Sequence, residues 1–226
     1  MVTSLLSDLA TKCGSSVNVI LTLNIPEALM INGGTFPFPL TLIRNAVPRG
    51  FGANHNAAFR RNASDYFCVL NPDIRIGDNP FPQLVEELRN PAAGVVAPQI
   101  LNPGGGVEDN ARRFPTPWFL LRKSVGLVRG VDYEMSDATL SPDWVAGMFM
   151  LFRRNVYAEV GGFDERYFLY YEDVDLCRRL RRHRYDVRLL PEVSVVHDAR
   201  RESRHSLRHL GWHLSSMLRY FLIRTA

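Results

Sequence analysis

The stretch DYFCVLNPDIRIGDNPFPQLVEELRNPAAGVVAPQI, Asp65 to Ile100, decides the fold class. Tyr66 to Leu70 is a short apolar run that reads as a strand. It stops at Asn71-Pro72-Asp73, because Pro72 has no N–H to give a central ladder. Phe81 to Arg89 reads as a helix and Gly94 to Ile100 as a further strand. Strand, helix and strand separated by turn residues argue an α/β sheet with helices packed on it.

The alternation continues outward. Upstream, Val2, Leu5, Leu6 and Leu9 recur at helical spacing, Val17 to Leu23 is a buried strand, and a Gly- and Pro-rich loop runs from Asn24 to Pro39. Leu40 to Arg44 is another strand, and the turn RGFG opens a helix over Ala53 to Arg61. Downstream, the pattern weakens between Leu101 and Pro142, around the loop Pro103 to Gly106. Val145 to Arg153 is a strong strand, and Asn155 to Val160 a short helix stopped by Gly161-Gly162. Glu172 to His183 is a helix with acids in its first turn and arginines in its last, which suits the helix dipole. Val187 to Leu190 and Val193 to Val196 read as two short strands. Ser206 to Arg224 is an amphipathic helix with Leu207, Leu210, Leu214, Met217, Leu218 and Phe221 on one face. The expected organisation is one α/β domain over residues 1–203 and a C-terminal helix over 204–226. The helix is expected to pack on the domain through its apolar stripe.

The 226 residues are 46% hydrophobic and 22% charged, enough for a packed core and far from disordered, collagen-like or coiled-coil composition. The longest apolar run, Val145 to Phe152, is too short to span a bilayer. No basic residue precedes the first apolar ones, so a secretory leader is not expected. Cys13, Cys68 and Cys177 form no CxxC pair and indicate neither a disulfide framework nor a zinc site. The net charge is +4, and Lys12 and Lys123 are the only lysines, so 25 of the 27 basic residues are arginine. Many crowd the last third, in CRRLRRHRYDVR and ARRESRHSLRHL. That field suits phosphate-rich ligands, nucleic acid or an anionic membrane without choosing among them.

Five groups carry candidate chemistry. Asn71-Pro72-Asp73 places a carboxylate after a strand, where α/β sheets bind ligands and a hard cation finds oxygen; a plain turn explains the same residues more simply. RGFGANHNAAF, Arg49 to Phe59, allows close backbone approach at a helix start, but no GK[ST] follows and the GxGxxG pattern is incomplete. GGFDERYFLYYEDVDLCRRL, Gly161 to Leu180, gathers Asp164, Glu165, Glu172, Asp173 and Asp175. One of these acids could serve as general base, with the aromatic run Tyr167 to Tyr171 walling a pocket; ordinary helix-terminus charge is the competing explanation. His197 ends a strand and could join Asp73 on a metal, although a lone histidine there is more often a hydrogen-bonded surface residue. His205, His209 and His213 lie on the polar side of the last helix, where a solvated face accounts for them.

Taken in order, these pieces resemble the family 2 glycosyltransferases, and within them the rhamnosyltransferase-like enzymes of bacterial surface polysaccharides. The resemblance rests on IRNAVPRGFGANHNAAF, DYFCVLNPDIRI, DWVAGMFMLFRRNVYAEVGGFDERYFLYYEDVDLCRRLRR and YDVRLLPEVSVVHDARRESRHS, from about Ile43 to Ser206. It implies a GT-A, Rossmann-like mixed sheet and inverting sugar transfer from a dTDP- or UDP-sugar to a glycan or lipid-linked acceptor. By the same resemblance, Asp73 of LNPD holds Mg2+ or Mn2+ with His197, and Asp173 of the Glu172-Asp173 pair is the base. Asn24, Asn45, Gly52, Asn56 and Asn71 would line the nucleotide side, and Trp144, Gly147, Asp164 and Glu165 the acceptor side. Family members begin with a strand of the type VSVVIVTYN, whereas this chain begins in the helix that follows it. Their second strand ends in Asp-Asn, where this chain has Leu23-Asn24. Arg184 stands after the acidic helix where glycine is commoner.

Three readings follow. The first is a metal-dependent transferase, peripheral on the cytoplasmic membrane face. The second is a non-catalytic remnant of the fold acting in binding or assembly, favoured by the absent strand and opposed by Asp73, Asp173 and His197. The third, nucleic-acid binding through the arginines, finds no supporting motif and is not expected.

Overall fold

The computed structural model describes residues 1–25, 33–118, 130, 132–133, 138–198 and 207–223. The domain boundary after residue 203, the helix ends Ser206 and Arg224, and His205 lie outside the described residues.

Helix α1 (Val2–Lys12) buries Leu5, Leu6 and Leu9, the residues whose spacing predicts it. Strand β1 (Val19–Leu23) pairs in parallel with β2 (Leu40–Arg44), from Val19 opposite Leu40 to Leu23 opposite Arg44. Then come α2 (Phe51–Phe59), β3 (Tyr66–Leu70), the short β4 (Ile74–Arg75), α3 (Phe81–Leu88) and β5 (Ala93–Leu101). After β6 (Ala111–Arg112) follow β7 (Trp144–Val145), β8 (Phe149–Arg153), α4 (Arg154–Glu159), α5 (Glu172–Arg182), β9 (Asp186–His197) and α6 (Leu207–Ile223).

The central sheet has the order β3-β8-β5-β9-β4. Strand β8 is antiparallel to β3 and β5, while β9 is parallel to β5, so the sheet is mixed. The β1–β2 pair forms a separate small sheet, and β6 pairs with β7 in a third. Apolar strands such as FMLFR in β8 suit burial on both faces. Met150 and Phe152 join Val69, Tyr157, Phe163, Leu176 and Leu180 on one face. Phe149 and Leu151 join Leu5, Leu6 and Leu9 of α1 and Leu84 and Leu88 of α3 on the other.

Two strand expectations are corrected. Val145 to Arg153 is not one strand: it breaks at Ala146 to Met148, between β7 and β8. There the Gly147 N–H turns to Asp173, 3.0 Å away, instead of entering a ladder. The two strands expected over Val187 to Val196 are one, β9, which crosses Pro191 as a bulge. Pro98 pairs with Leu190 and Gln99 with Ser194, so the register skips the residues between and Pro191 needs no N–H partner. The acidic helix ends with Arg184 at φ 65°, where the Tyr185 N–H reaches back 2.9 Å to the Leu180 carbonyl. That is a left-handed helix stop of the kind glycine usually makes.

The last helix packs on the domain as expected, but only part of its predicted stripe takes part. Leu207, Leu210, Leu214, Leu218 and Leu222 are 45–86% exposed. The helix docks instead through Tyr220, Met217 and Phe221 on Tyr167, Tyr171 and Val174. The histidine side expected to be solvated contributes too. The Tyr170 hydroxyl and His209 Nδ1 are 3.0 Å apart, and the His213 ring lies 5.4 Å from Tyr171. The aromatic run before α5 is therefore the seat of α6 rather than a pocket wall. Tyr170 and Tyr171 take φ of 71° and 67°, left-handed backbone that costs L-residues energy and is held here by packing on both sides.

Candidate active site

Three chain segments meet at one end of the central sheet. Asn71 to Asp73 follow β3, Ala146 to Met148 fill the β7–β8 break, and Glu172 and Asp173 open α5. All line one cavity of about 790 Å³, together with Asn24 at the end of β1. The carboxyl ends of strands in an open α/β sheet are where such folds bind ligands.

Asp73 is half-buried and faces His197, with Oδ2 3.3 Å from Nε2. The antiparallel pairing of β4 and β9 fixes this, since it sets Ile74 opposite His197 one residue beyond Asp73. His197 Nδ1 lies 2.8 Å from Glu108 Oε2. Hydrogen bonding to Asp73 foremost, and to Glu108, raises the His197 pKa to about 9 against the opposing effect of burial. Burial pushes the Asp73 carboxyl up, but the hydrogen bond and charge of His197 outweigh it and hold the group below its ordinary value. Sequence reasoning missed Glu108. It sits past a glycine-rich loop, where no periodic pattern marks it.

Asp173 accepts the Gly147 N–H at 3.0 Å on Oδ2 and the Val174 N–H at 2.8 Å on Oδ1. Burial raises its pKa, and these backbone donors oppose the rise. Glu172 is buried, and its Oε2 is without a hydrogen-bond partner. Burial first, and the neighbouring Asp173 charge second, push its pKa up to about 8. Two carboxyls side by side cannot both ionise cheaply. The backbone donors place the charge on Asp173 and the proton on Glu172.

The remaining predicted residues divide between the cavity and its supports. Asn24 lines the cavity and is locked to the loop before α2: its Nδ2 donates to the Arg49 carbonyl at 2.9 Å and its Oδ1 accepts the Arg49 N–H at 2.8 Å. Asn45 Nδ2 donates to Asn24 Oδ1 at 2.9 Å and to Asn54 Oδ1 at 2.8 Å. Gly52 packs against Phe163; a Cβ there would come within 2.6 Å of the Phe163 Cβ. Asn56 is buried away from the cavity. Its Nδ2 donates to the Phe163 carbonyl at 2.8 Å, and its Oδ1 accepts the Phe163 N–H at 3.0 Å and the Tyr157 hydroxyl at 2.8 Å. We expect Asn56→Ala to destabilise the fold by about 2–4 kcal/mol, because it strands several buried groups. Thermal or denaturant unfolding checks this, with nucleotide affinity of the folded fraction unchanged. Trp144 donates its indole N–H to the Arg113 carbonyl at 2.9 Å. Asp164 pairs with Arg166 at 2.6 Å, and Glu165 with Arg49 at 3.4 Å and Arg60 at 3.6 Å. None of Trp144, Asp164 and Glu165 lines the cavity.

For a divalent cation, the donor set is Asp73 and His197. Among the described residues no group of three or more His, Cys, Asp or Glu side chains is arranged to hold a metal. Yet Asp73 Oδ1 is buried without a hydrogen-bond partner, which suits an oxygen kept for a cation. Mg2+ commonly takes only one or two protein carboxylates and fills its sphere with water and substrate phosphates. The residues fit a cation shared with a phosphate ligand.

The sequence profile described as "Glycosyltransferase like family 2" matches residues 33–212. The chain is 34% identical over 166 residues to the N-acetylglucosaminyl-diphospho-decaprenol L-rhamnosyltransferase of Mycobacterium tuberculosis H37Rv, covering 67% of this chain and 53% of that one. It is 30% identical over 185 residues to rhamnosyltransferase WbbL of Escherichia coli K12, covering 76% and 69%. The chain thus spans about half the length of the mycobacterial relative. Among solved structures, mannosyltransferase PcManGT of Pyrobaculum calidifontis, in complex with GDP-Man and Mn2+, superposes with a TM-score of 0.64 at 16% identity, covering 96% of this chain and 60% of that one. Staphylococcus aureus TarS gives a TM-score of 0.64 at 12% identity, covering 88% and 34%. The mixed sheet and its flanking helices are thus those of the GT-A fold, and the chain belongs to glycosyltransferase family 2.

Proposed function

We propose that the chain transfers a sugar, with inversion, from a nucleoside-diphosphate sugar to a hydroxyl of a polysaccharide or lipid-linked acceptor. The observation that carries this is the cleft itself, with Asp73 keeping a buried, unpaired oxygen and Asp173 accepting the Gly147 N–H on the adjoining wall. Asp173 accepts the proton of the acceptor hydroxyl as that oxygen displaces the diphosphate at the anomeric carbon. One displacement inverts the configuration and needs one base and no covalent nucleophile. Glu172, neutral, stays beside it without competing for that proton. Asp73 and His197 would hold Mg2+ or Mn2+, which when bound offsets the charge developing on the leaving diphosphate. The relatives' names support rhamnose as the sugar and a polyprenyl-diphosphate sugar as acceptor; the donor in this reading is a dTDP- or UDP-sugar. The test is release of nucleoside diphosphate from dTDP-rhamnose and UDP-sugars with Mn2+ and an N-acetylglucosaminyl-diphospho-prenol. Acceptor-dependent release is expected; no release from any donor would overturn the reading.

The exposed leucine stripe of α6 supports a peripheral position on the cytoplasmic membrane face, next to a lipid-linked acceptor. No helix among the described residues is long and apolar enough to cross a membrane. Helix α6 carries Arg208 and Arg219 and no acid, which suits an anionic surface. We expect the double substitution Leu210→Glu and Leu218→Glu to abolish sedimentation with phosphatidylglycerol vesicles, with a melting temperature within a few degrees of the parent. Unchanged sedimentation would remove α6 from the membrane contact.

A further inference from the structure

Tyr170 and Tyr171, at φ 71° and 67°, are two left-handed residues in succession, immediately before Glu172 and Asp173. L-residues take that backbone only at a cost, and no glycine or asparagine stands in Leu169-Tyr170-Tyr171 to lower it. The same turn opens α5. Tyr171 caps the helix without a side-chain hydrogen bond to the first turn, where serine, aspartate or asparagine usually gives one. Its carbonyl accepts the Asp175 N–H at 2.9 Å. The conformation of Tyr171 therefore aims the first turn of α5 and the two carboxyls on it. Nothing local fixes that conformation, so contacts from elsewhere in the chain must.

On the domain side, the Phe168 carbonyl accepts the Phe51 N–H at 2.9 Å, which fixes the chain just before the turn. At the turn itself the partners lie on α6. The Ser216 hydroxyl donates to the Leu169 carbonyl at 2.9 Å. His209 Nδ1 is 3.0 Å from the Tyr170 hydroxyl, and the Tyr171 ring lies 5.4 Å from that of His213 and 5.5 Å from that of Tyr220. Ser216 separates positioning from simple covering. It is 4% exposed, beside Met217, Tyr220 and Phe221 on the docked side of the helix. A hydroxyl buried among apolar groups costs stability unless it finds a partner, and a helical serine commonly takes the carbonyl four residues back. Here it reaches outward instead, to the carbonyl next to the strained pair. Leu169, Glu172 and Asp173 all line the cavity of the candidate site, so a shift of this turn moves the site wall.

We propose that Ser216 and His209 of α6 are positioning residues of the site: they hold Leu169 to Tyr171 in the left-handed turn and thereby seat Asp173 against the Gly147 N–H. Neither lines the cavity, and both act through the turn. The inference deepens the transferase reading, in which Asp173 is the base. Without the hold, the turn relaxes to backbone that L-residues prefer and Asp173 leaves Gly147. The body of α5 stays in place, because Leu176 and Leu180 are set in the core.

The test is hydrogen exchange, resolved amide by amide, on the full chain without substrate. The Gly147 N–H reports the seat directly, since its partner is Asp173. The variants are Ser216→Ala and the double Ser216→Ala, His209→Ala. Ser215→Ala, on the exposed side of the same helix, is the control, and Asp173→Ala marks the fully released Gly147 amide. Gly147 is expected to exchange about fivefold faster in Ser216→Ala, the worth of one hydrogen bond, with α6 still protected. The double variant is expected to reach the Asp173→Ala rate, and Ser215→Ala to match the parent. Gly147 exchange unchanged in both variants overturns the proposal, and so does faster exchange spread evenly over α5 and the central sheet, which marks a general loss of stability. Where the double variant frees α6 altogether, protection kept at Gly147 overturns it too. In transfer assays kcat of Ser216→Ala is expected to fall about fivefold with the donor KM unchanged; kcat at the parent's level with Gly147 released overturns the positioning role. The exchange arm needs no transfer, so an inactive parent would sink the transferase reading and leave the exchange result standing.

Discussion

Asp173→Asn is expected to lower kcat for sugar transfer by about 10²- to 10⁴-fold, the usual contribution of a positioned general base. Asparagine keeps the shape and can still accept the Gly147 N–H, so affinity for a nucleotide and the melting temperature stay near those of the parent. A transfer rate within a fewfold of the parent would remove Asp173 from the base role. The pH profile gives a second check. Burial raises the pKa of both Glu172 and Asp173. Activity that needs a carboxylate is then lost as pH falls through the raised value, so the acid limb lies above the ordinary carboxylate range. The two groups interact, and the limb belongs to the pair. Glu172 carries the proton of the pair, so Glu172→Gln, which stays neutral, is expected to leave the acid limb near its parent position. A limb that moves well down in pH on this change would mean that Glu172 is charged while Asp173 titrates.

Asp73→Asn is expected to weaken Mn2+-dependent nucleotide binding about 100-fold or more, roughly 3 kcal/mol. Asparagine keeps the size of the side chain, Asp73 Oδ1 has no protein partner to lose, and within the protein only the charge facing His197 across 3.3 Å changes. Glu108→Ala acts on the same site one step away. It frees the His197 ring that Glu108 now holds at 2.8 Å and should cost about tenfold in Mn2+ affinity. Isothermal titration with the metal, with and without nucleotide, measures both. Equal Mn2+ affinity in Asp73→Asn and the parent would contradict the assignment.

Helix α1, strands β1, β2, β3 and β5 and helices α2, α3 and α5 were legible because period and turn residues agree along each. Strand β8 was legible in type but not in extent. The apolar run VAGMFMLF carries no sign that Gly147 leaves the ladder to meet Asp173, an interaction with a residue far along the chain. The two pieces of β9 looked separate because Pro191 ends strands locally, while a bulge against β5 absorbs it. Helix α6 misled for another reason. Its predicted stripe mixes leucines with Met217 and Phe221, and only the shape of the surface built by Tyr167, Tyr171 and Val174 decides that these two dock, with Tyr220, while the leucines stay exposed. In the site, position after a strand or before a helix makes Asp73, His197, Glu172 and Asp173 candidates, but a turn, a surface histidine and helix-terminus charge explain them as simply, and it is the family resemblance that singles them out. Asn56 was read as a ligand contact, but its amide is taken up by Phe163, Tyr157 and Glu165. Polar residues in a glycine-rich turn look alike in sequence whether they face a pocket or a core.

The most direct test of the central claim is titration calorimetry of dTDP, UDP and GDP into the protein, each with and without Mn2+, with Asp73→Ala beside it. The account predicts that one nucleotide binds only when Mn2+ is present and that Asp73→Ala abolishes the binding. Folded protein that binds none of the three, or binds one regardless of Mn2+ and Asp73, would contradict it.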